Sequence, residues 1–250
     1  MKKLLSAVAL LTLGFAIPAT AADLAARPYT KAPVMVPPAI YNWGGFYIGA
    51  NGGGASSHKC WDFTDPVGVF VSAEGCHDAT GAVAGGQIGY RWQAANWVFG
   101  VEAQGDWADL RGSNVSLAFP AFTNSSRIDG IGLFTGQAGM AWNNVLFYVK
   151  GGAAVVGDRF RVNNTIGNVL AATTPDDTRW GGTVGAGIEF GFAPNWSVAA
   201  EYNHLFMQDR LYRFTDTTGF FFGTDRIRQD VDMGTLRVNY HFGGPVVARY

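Results

Sequence analysis

Charged residues are scarce in this 250-residue chain, and long hydrophobic runs are missing from most of it. Lys, Arg, Asp and Glu make up 15% of the residues, whereas ordinary soluble domains contain about 25%. After Ile17 no stretch reaches the roughly 18 uninterrupted apolar residues of a transmembrane helix. These two shortages exclude a helical membrane protein and disfavour a domain whose whole surface faces water.

Cysteine and histidine are also rare, with two Cys and four His in the chain. The four histidines are scattered, and neither G-x-S-x-G nor H-E-x-x-H occurs. Because no nucleophile, base and orienting residue can be recognised together, we predict that the protein is not an enzyme and has no catalytic residue or cofactor. The alternative enzymatic hypothesis places His204 or His241 beside an Asp or a Ser.

The N-terminus has the composition of a secretory signal peptide. Lys2 and Lys3 form a basic segment, residues 4–17 are apolar, and Ala19-Thr20-Ala21 is a small-residue cleavage site. The apolar stretch is shorter than the roughly 20 residues of a membrane anchor, so we predict that residues 1–21 are removed after export. Without the two lysines, 16 basic residues face 19 acidic ones, which gives no reason to expect nucleic acid as a partner.

The rest of the chain divides into three predicted parts. Residues 22–42 contain four prolines and favour an extended periplasmic linker. Residues 43–242 alternate apolar and polar or small side chains with a period of two, which is typical of strands. Residues 243–250 are predicted to form a C-terminal tail.

Eight segments carry this alternation. The clearest begins at Trp97, where Phe99 and Val101 alternate with Glu102 and Gln104. A charged side chain at every second position cannot face lipid, so its apolar neighbours must. The eight predicted strands cover residues 43–55, 81–93, 97–107, 127–142, 145–156, 178–192, 196–205 and 231–242.

The connections between these segments are alternately long and short. Three short ones cover residues 94–96, 143–144 and 193–195, and four long ones cover residues 56–80, 108–126, 157–177 and 206–230. Outer-membrane barrels have short periplasmic turns and long outer loops, and only helices or closed barrels satisfy their backbone inside hydrocarbon. We therefore predict an all-β fold, an eight-stranded antiparallel up-and-down transmembrane β-barrel in the cell outer membrane.

A soluble barrel of lipocalin type would show the same period of two. Here, however, the aromatic side chains of the apolar face cluster near both ends of the strands, as a bilayer with two interfaces requires. The opposite face carries mostly Gly, Ala, Thr and Gln, which suit a narrow lumen better than a hydrated surface. The pattern thus favours the membrane barrel.

The predicted inward face carries four basic and four acidic residues. They are Arg91, Glu102, Asp106, Lys150, Arg179, Glu189, Glu201 and Arg237. Because buried charges persist when they are paired, we predict a lumen network of salt bridges, with Arg91 close to Glu102 across a short turn. Eight strands enclose little more than their own side chains, which favours a plugged lumen; a narrow porin-like channel for small solutes is the alternative.

Cys60 and Cys76 both lie in the first predicted long loop. In an exported chain a disulfide is the default expectation, and closing this loop stabilises the fold by about 3 kcal/mol in the chain-entropy view. His58 and His77 flank the two cysteines, so a zinc site is the alternative.

The last predicted long loop combines aromatic and basic residues. Its phenylalanines Phe214, Phe220, Phe221 and Phe222 predict a surface that contacts host molecules or lipopolysaccharide. The alternative is that the flanking strands continue as a hairpin that turns at Thr217-Thr218-Gly219.

Five motifs occur in a characteristic order: Ala22-Asp23-Leu24 and residues 41–49, 85–90, 148–153 and 236–242. This series resembles the RopB-like outer-membrane immunogenic, porin-like proteins of alpha-proteobacteria, which have OmpA-like barrels. The resemblance implies outer-membrane location, loops seen by hosts and a role in envelope integrity. We expect outer-membrane lipid, lipopolysaccharide and the barrel-insertion machinery as partners. The chain departs from the usual insertion signal because Phe242 is followed by eight more residues.

Overall fold

Residues 41–242 are described by a computed structural model, in which ten antiparallel strands form one sheet. The strands are β1 (Gly45–Thr64), β2 (Phe70–Ala94), β3 (Trp97–Val115), β4 (Phe122–Trp142), β5 (Val145–Asn164), β6 (Leu170–Thr173), β7 (Asp177–Ala193), β8 (Trp196–Met207), β9 (Arg210–Asp216) and β10 (Phe221–His241). The predicted signal peptide, nearly all of the predicted linker and the predicted tail lie outside the described residues. Within residues 41–242 no helix is long and apolar enough to cross a membrane.

The sheet closes on itself, which confirms the predicted barrel. β1 pairs with β2 on one side and with β10 on the other, from Tyr47 opposite His241 to Thr64 opposite Thr224. The ring runs through β1, β2, β3, β4, β5, β7, β8 and β10. These are the eight strands that the alternation predicted.

The strand count of eight describes this ring but not the whole sheet. β7 begins only at Asp177 and β8 ends at Met207, so the far ends of β5 and β10 have no partner from this hairpin. An unpaired strand edge leaves backbone groups unsatisfied. β6 pairs with β5, β9 pairs with β10, and β6 and β9 pair with each other, so two short strands close the gap.

The strands run further than predicted at the end with the long connections, called here the loop end. β1 continues to Thr64 and β2 starts again at Phe70, although residues 56–80 were predicted to be a loop. The outward positions of β1 beyond Ala55 are polar instead of apolar. The alternation of apolar and polar residues therefore ends there, and the sequence did not predict the rest of the strand. The alternative of a hairpin over residues 217–219 is confirmed, because β9 and β10 are joined there, with Gly219 at φ +90°.

At the opposite end, called the turn end, the strands are joined by two-residue turns at residues 95–96, 143–144 and 194–195. Ala95 and Asn143 both adopt positive φ, 52° and 54°. This backbone suits the twist of a tight hairpin, and asparagine tolerates it well. Short turns therefore hold the three hairpins in register.

The outward face has an apolar band over the half of the barrel nearer the turn end. Phe99 and Val101 are about half exposed there, while Glu102 and Gln104 beside them are buried. The exposed tryptophans of the outward face are Trp92, Trp97, Trp107, Trp142, Trp180 and Trp196. Trp107 and Trp180 are those furthest from the turns, so the band has an aromatic side chain at both edges, as predicted.

The interior is layered along the barrel axis. Near the turn end Tyr41, Trp43 and Tyr148 belong to a hydrophobic cluster, and six of the eight predicted charged residues follow. A layer of aliphatic side chains comes next, which includes Leu133, Val156 and others. Inward-facing strand positions therefore include apolar as well as polar side chains, because alternation with lipid-facing positions does not require an inward residue to be polar.

Candidate functional site

The centre of the lumen holds two acidic and two basic residues, which we call the lumen network: Glu102, Lys150, Glu201 and Arg237. Lys150 Nζ donates to Glu102 at 3.0 Å and to Glu201 at 2.6 Å. The Arg237 guanidinium donates to the same two carboxylates. All four side chains are at most 1% exposed. Each cation is thus shared by both anions, and the four charges cancel.

A second ion pair lies closer to the turn end. Arg91 donates to Glu189 at 2.8 Å, and neither side chain is exposed. The Arg91 guanidinium carbon also lies 4.4 Å from the centre of the Tyr47 ring, a distance suited to a cation–π contact. Arg91 is therefore held by charge on one side and by an aromatic face on another.

The predicted pairing of Arg91 with Glu102 is not formed. Across the β2–β3 turn Arg91 lies opposite Gly100, and Glu102 lies opposite Gly89. Tyr47 connects the two groups instead, because its hydroxyl donates to Glu102 at 2.6 Å while its ring contacts Arg91. Two residues that are close in the same hairpin are therefore not necessarily ion-pair partners. Side chains in the lumen cross it and contact side chains from strands on the opposite wall.

Asp106 and Arg179 lie apart from the lumen network. Asp106 accepts a hydrogen bond from Gln104 at 2.8 Å, and Arg179 donates to Gln229 at 2.9 Å and to the Ile227 carbonyl at 3.1 Å. Both are buried, but both lie nearer the loop end than the four central charges. The structure therefore brings six of the eight predicted charges into ion pairs and leaves two with neutral partners.

One buried ion pair was missed by the sequence reasoning. Lys59 Nζ lies 2.6 Å from Asp158 Oδ1, with both side chains fully buried on the loop-end side of the lumen. Both residues fall in segments that were predicted to be loops. The alternation of inward and outward positions could have revealed Lys59, because Ala55, Ser57 and Lys59 are alternate residues of β1 that all face inward. This alternation continues past the point where the outward residues stop being apolar.

Both histidines of the alternative enzymatic hypothesis lie beside a carboxylate. His241 Nε2 lies 3.0 Å from Ser197 Oγ and 3.3 Å from Glu189 Oε1. One ring nitrogen thus faces both groups, whereas a serine–histidine–acid triad uses the two nitrogens separately. His204 lies 2.7 Å from Asp232 on the outer wall, beside the hydroxyl of Tyr202, which donates to the same carboxylate.

The two cysteines form a disulfide between β1 and β2. Cys60 lies directly opposite Cys76 in the strand register, and their Cα atoms are 4.1 Å apart. His58 Nε2 lies 3.5 Å from Cys60 Sγ on the outer wall. His77 points inward, where its ring bonds Asn114 and Ser126. His58, Cys60 and Cys76 therefore lie together on the outer wall, but His77 faces the lumen, because successive residues of a strand face opposite sides.

The predicted surface phenylalanines separate into two groups. Phe220, Phe221 and Phe222 are 74%, 50% and 40% exposed at the tip of the β9–β10 hairpin. Phe214 is 1% exposed and packs against Trp61 with 5.5 Å between ring centroids. The prediction that Phe214 contacts partners is wrong, because β9 completes the barrel wall and turns this side chain into the lumen.

A small cavity of about 170 Å³ lies at the loop end. Its lining includes the rings of Phe63 and Phe222 and two buried carboxyl groups, Glu74 and Asp225. Burial, together with the nearby Glu74 carboxylate, raises the pKa of Asp225 to about 8, and burial raises the pKa of Glu74. Asp225 Oδ1 has no hydrogen-bond partner among the described residues, so this end of the lumen prefers protonated acids.

Residues 7–242 match the family described as "Outer membrane protein beta-barrel domain". The chain belongs to this family. It is 29% identical over 242 residues to the 31 kDa outer-membrane immunogenic proteins of Brucella melitensis and Brucella suis, covering 91% of this chain and 95% of theirs. An uncharacterized protein of Coxiella burnetii is 30% identical over 192 residues, which cover 69% of this chain and 70% of that protein.

Solved structures agree with an outer-membrane β-barrel fold. The outer membrane protease OmpT of Escherichia coli superposes with a TM-score of 0.53 at 9% identity, over 79% of this chain and 96% of that one. The outer membrane protein OprG of Pseudomonas aeruginosa gives a TM-score of 0.50 at 12% identity, over 79% and 97%. At these identities the similarity concerns the fold alone.

Membership of this outer-membrane family orients the barrel. In outer-membrane barrels the outward apolar band faces lipid, the short turns face the periplasm and the long connections face outside. Beyond the band the outward positions become charged, beginning with residues such as His58, Asp109 and Asp232. The Cys60–Cys76 disulfide, the Glu74–Asp225 cavity and the exposed phenylalanines therefore lie outside the membrane.

Proposed function

We propose that the protein is a sealed structural barrel of the outer membrane, which contributes to envelope integrity and presents a surface at its loop end. The observation that supports this proposal is the lumen network: two cations shared by two carboxylates fill the cross-section of an eight-stranded ring, and all four side chains are at most 1% exposed. A ring of this size has space for side chains and little else.

The layers on either side strengthen the seal. Towards the outside lies the aliphatic layer with Leu133, Val156 and Val231, all fully buried. Towards the periplasm lie Trp43 and Tyr148. An ion would have to displace paired charges and then cross apolar side chains, where its desolvation is not compensated. A narrow channel is therefore the weaker candidate.

A catalytic role is also the weaker candidate. Glu189 lies beside both His241 and Ser197, but the three groups are buried in the lumen and are hydrogen-bonded to one another. His204 and Asp232 are accessible but have only a tyrosine beside them. Within residues 41–242 the first set is buried, and no nucleophile can be recognised beside the second.

Contact with other surfaces is supported by the β9–β10 hairpin. Three consecutive phenylalanines, Phe220 to Phe222, stand exposed at its tip, and the Phe221 ring lies 5.2 Å from the Arg213 guanidinium. Exposed aromatic residues next to arginine are typical of the energetically important part of interfaces. We assign this tip to contact with host surface molecules.

Conductance of the refolded full chain in a planar bilayer tests the seal. We expect no steady single-channel steps, with insertion checked independently by the heat-dependent shift of the folded barrel on a gel. Regular steps of constant size in the wild-type protein would overturn the proposal. The Glu102→Gln variant shows whether such steps come from this lumen. Removal of a charge at the centre of the lumen changes the ion selectivity of a current that passes through it.

A further inference from the structure

The outer wall carries a row of arginines just beyond the apolar band. Arg111 on β3 lies directly opposite Arg127 on β4, and Arg127 lies directly opposite Arg159 on β5. Directly opposed residues on neighbouring strands are about 5 Å apart, and like charges at such positions destabilise a sheet. Three cations in one row therefore need a compensating anion.

The neighbouring carboxylates compensate them only in part. Asp109 and Asp129 contact the row and belong to the same strands as Arg111 and Arg127, on the side nearer the apolar band, and Asp176 contacts Arg159. A fourth arginine, Arg161, is exposed and forms no ion pair among the described residues. Four arginines thus face three aspartates, and the excess charge is on the outer side.

These arginines line a groove of about 490 Å³, which we call the arginine groove. Arg111, Arg127, Arg159 and Arg161 contribute to its lining together with Ser113 and Asn163, and none of the three aspartates does. Arginine presents a planar fork of donors that matches phosphate and carboxylate groups. The groove is therefore built for a ligand with several anionic groups.

A second groove of about 460 Å³ lies on the same three strands, on the membrane side. Its floor is glycine: Gly105 lies opposite Gly132, and Gly130 lies opposite Gly157. Trp107, which is 81% exposed, and Val155 border it. We call it the glycine trough. A glycine floor between the Trp107 and Val155 side chains on a lipid-facing wall leaves an apolar recess for an acyl chain.

The two grooves adjoin along the strands. Gly157 and Arg159 are two residues apart, and Trp107 and Arg111 are four apart, which corresponds to about 7 and 13 Å of strand. One molecule with acyl chains and anionic groups at their polar end can occupy both at once. The arginine groove also lies on the outer side of the membrane, because the loop end faces outside.

We propose that β3, β4 and β5 form a binding site for one lipopolysaccharide molecule of the outer leaflet. The arginine groove holds the anionic groups at the base of its carbohydrate, and the glycine trough holds one acyl chain. Clustered arginines at a membrane interface attract anionic headgroups, and the trough adds contact that a headgroup alone cannot make. This site is independent of whether the lumen conducts.

Binding of deep-rough lipopolysaccharide to the refolded full chain in zwitterionic micelles tests the proposal. Arg161→Glu reverses the charge of the one groove arginine that has no ion pair within residues 41–242, and we expect it to weaken binding at least tenfold. Gly105→Leu places a side chain in the trough, where a Cβ at Gly105 has no atom within 4 Å, and we expect a similar loss. Arg228→Glu and Gly234→Leu are the matched controls on β10, and we expect less than twofold change for each.

The ligand's identity is tested with two further probes. Inorganic phosphate and phosphatidylglycerol are each expected to bind at least tenfold more weakly than lipopolysaccharide. Equal binding of either probe would overturn the assignment to lipopolysaccharide. An unchanged affinity in Arg161→Glu or in Gly105→Leu, or an equal loss in either control, would overturn the site.

A measurement on the wild-type protein tests the site without variants, so that a folding defect cannot explain the result. Phenylglyoxal modifies exposed arginines, and mass spectrometry locates the products. We expect lipopolysaccharide to protect Arg111, Arg127, Arg159 and Arg161 and to leave Arg228 reactive. Equal protection of Arg228, or none in the arginine groove, would contradict the proposal.

Discussion

The ring of Tyr47 lies directly against Gly89 on the neighbouring strand, so closely that a Cβ at Gly89 would be 2.4 Å from the Tyr47 hydroxyl oxygen. The two residues face each other in the β1–β2 register. Only glycine leaves room for the ring, which in turn reaches Glu102 and Arg91. Gly187 and Tyr148 repeat this relationship on β7 and β5, where the Cβ would lie 2.5 Å from the ring.

Gly89→Ala is therefore expected to push Tyr47 aside and break its hydrogen bond to Glu102. We expect a loss of about 1–3 kcal/mol in the free energy of unfolding, the usual cost of overpacking. Urea unfolding of the protein in lipid vesicles measures it. Gly234→Ala is the control, because a Cβ at Gly234 has no neighbour within 4 Å. Equal effects of the two substitutions would contradict the role of the contact.

Glu102→Gln removes one of the two carboxylates that Lys150 and Arg237 share. Because it leaves buried positive charge unbalanced, we expect a loss of about 3–5 kcal/mol in the free energy of unfolding. Adding Lys150→Met restores neutrality, so the double variant is expected to be more stable than the sum of the single losses predicts. Additive losses in the same urea titration would mean that the two residues do not act as a unit.

Removal of the Cys60–Cys76 disulfide is expected to loosen the loop end of β1 and β2. The chain-entropy view gives a loss of about 3 kcal/mol for a loop of 16 residues. Comparing the Cys60→Ser, Cys76→Ser double variant with the wild type by urea unfolding measures it. A reducing agent should destabilise the wild type and leave the double variant unchanged.

Asp225 is expected to make the loop end less stable at alkaline pH. Burial and the nearby Glu74 raise its pKa from 3.8 to about 8, so the folded state keeps a proton that the unfolded chain releases. Stability is then greatest below pH 3.8, falls as the pH rises towards 8, and does not fall further above 8 on account of this group. Hydrogen exchange over β9 and β10 at pH 5 and pH 9 measures the difference.

The Asp225→Asn variant is expected to lose this pH dependence, because an amide cannot ionise. Asp230→Asn is the control, since Asp230 is exposed on the outer wall of the same strand. A wild-type exchange pattern that is equally protected at both pH values would show that Asp225 is not protonated in the folded barrel.

Substitution of the phenylalanines at the hairpin tip is expected to reduce adhesion without reducing the stability of the barrel. Phe220→Ser should leave the unfolding midpoint unchanged and weaken adhesion of cells that display the protein to host-cell surfaces. Phe214→Ser should lower the free energy of unfolding by about 3–5 kcal/mol, as for other large buried aromatic residues, because it removes the ring packed against Trp61. Unchanged adhesion in a Phe220, Phe221 and Phe222 triple serine variant would count against the contact role.

The sequence by itself determined the barrel and the side of the wall that each residue faces. A period of two in residues such as Phe99, Val101 and Glu102 assigns inward and outward positions before any partner is known, because the pleat alternates strictly. Alternating long and short connections fixed the order of the eight main strands. For Cys60 and Cys76 the sequence made a disulfide the default expectation and left a zinc site as the alternative.

Only the tertiary structure decided which inward residues meet. Closure of the sheet brings distant strands face to face across the lumen, so Arg91 pairs with Glu189 rather than with Glu102. The short strands β6 and β9 turn Phe214 inward, and pairing across β3 to β5 aligns the arginine groove above the glycine trough. Periodicity along one strand records which face a side chain occupies, but the stagger between strands sets its height and its neighbours.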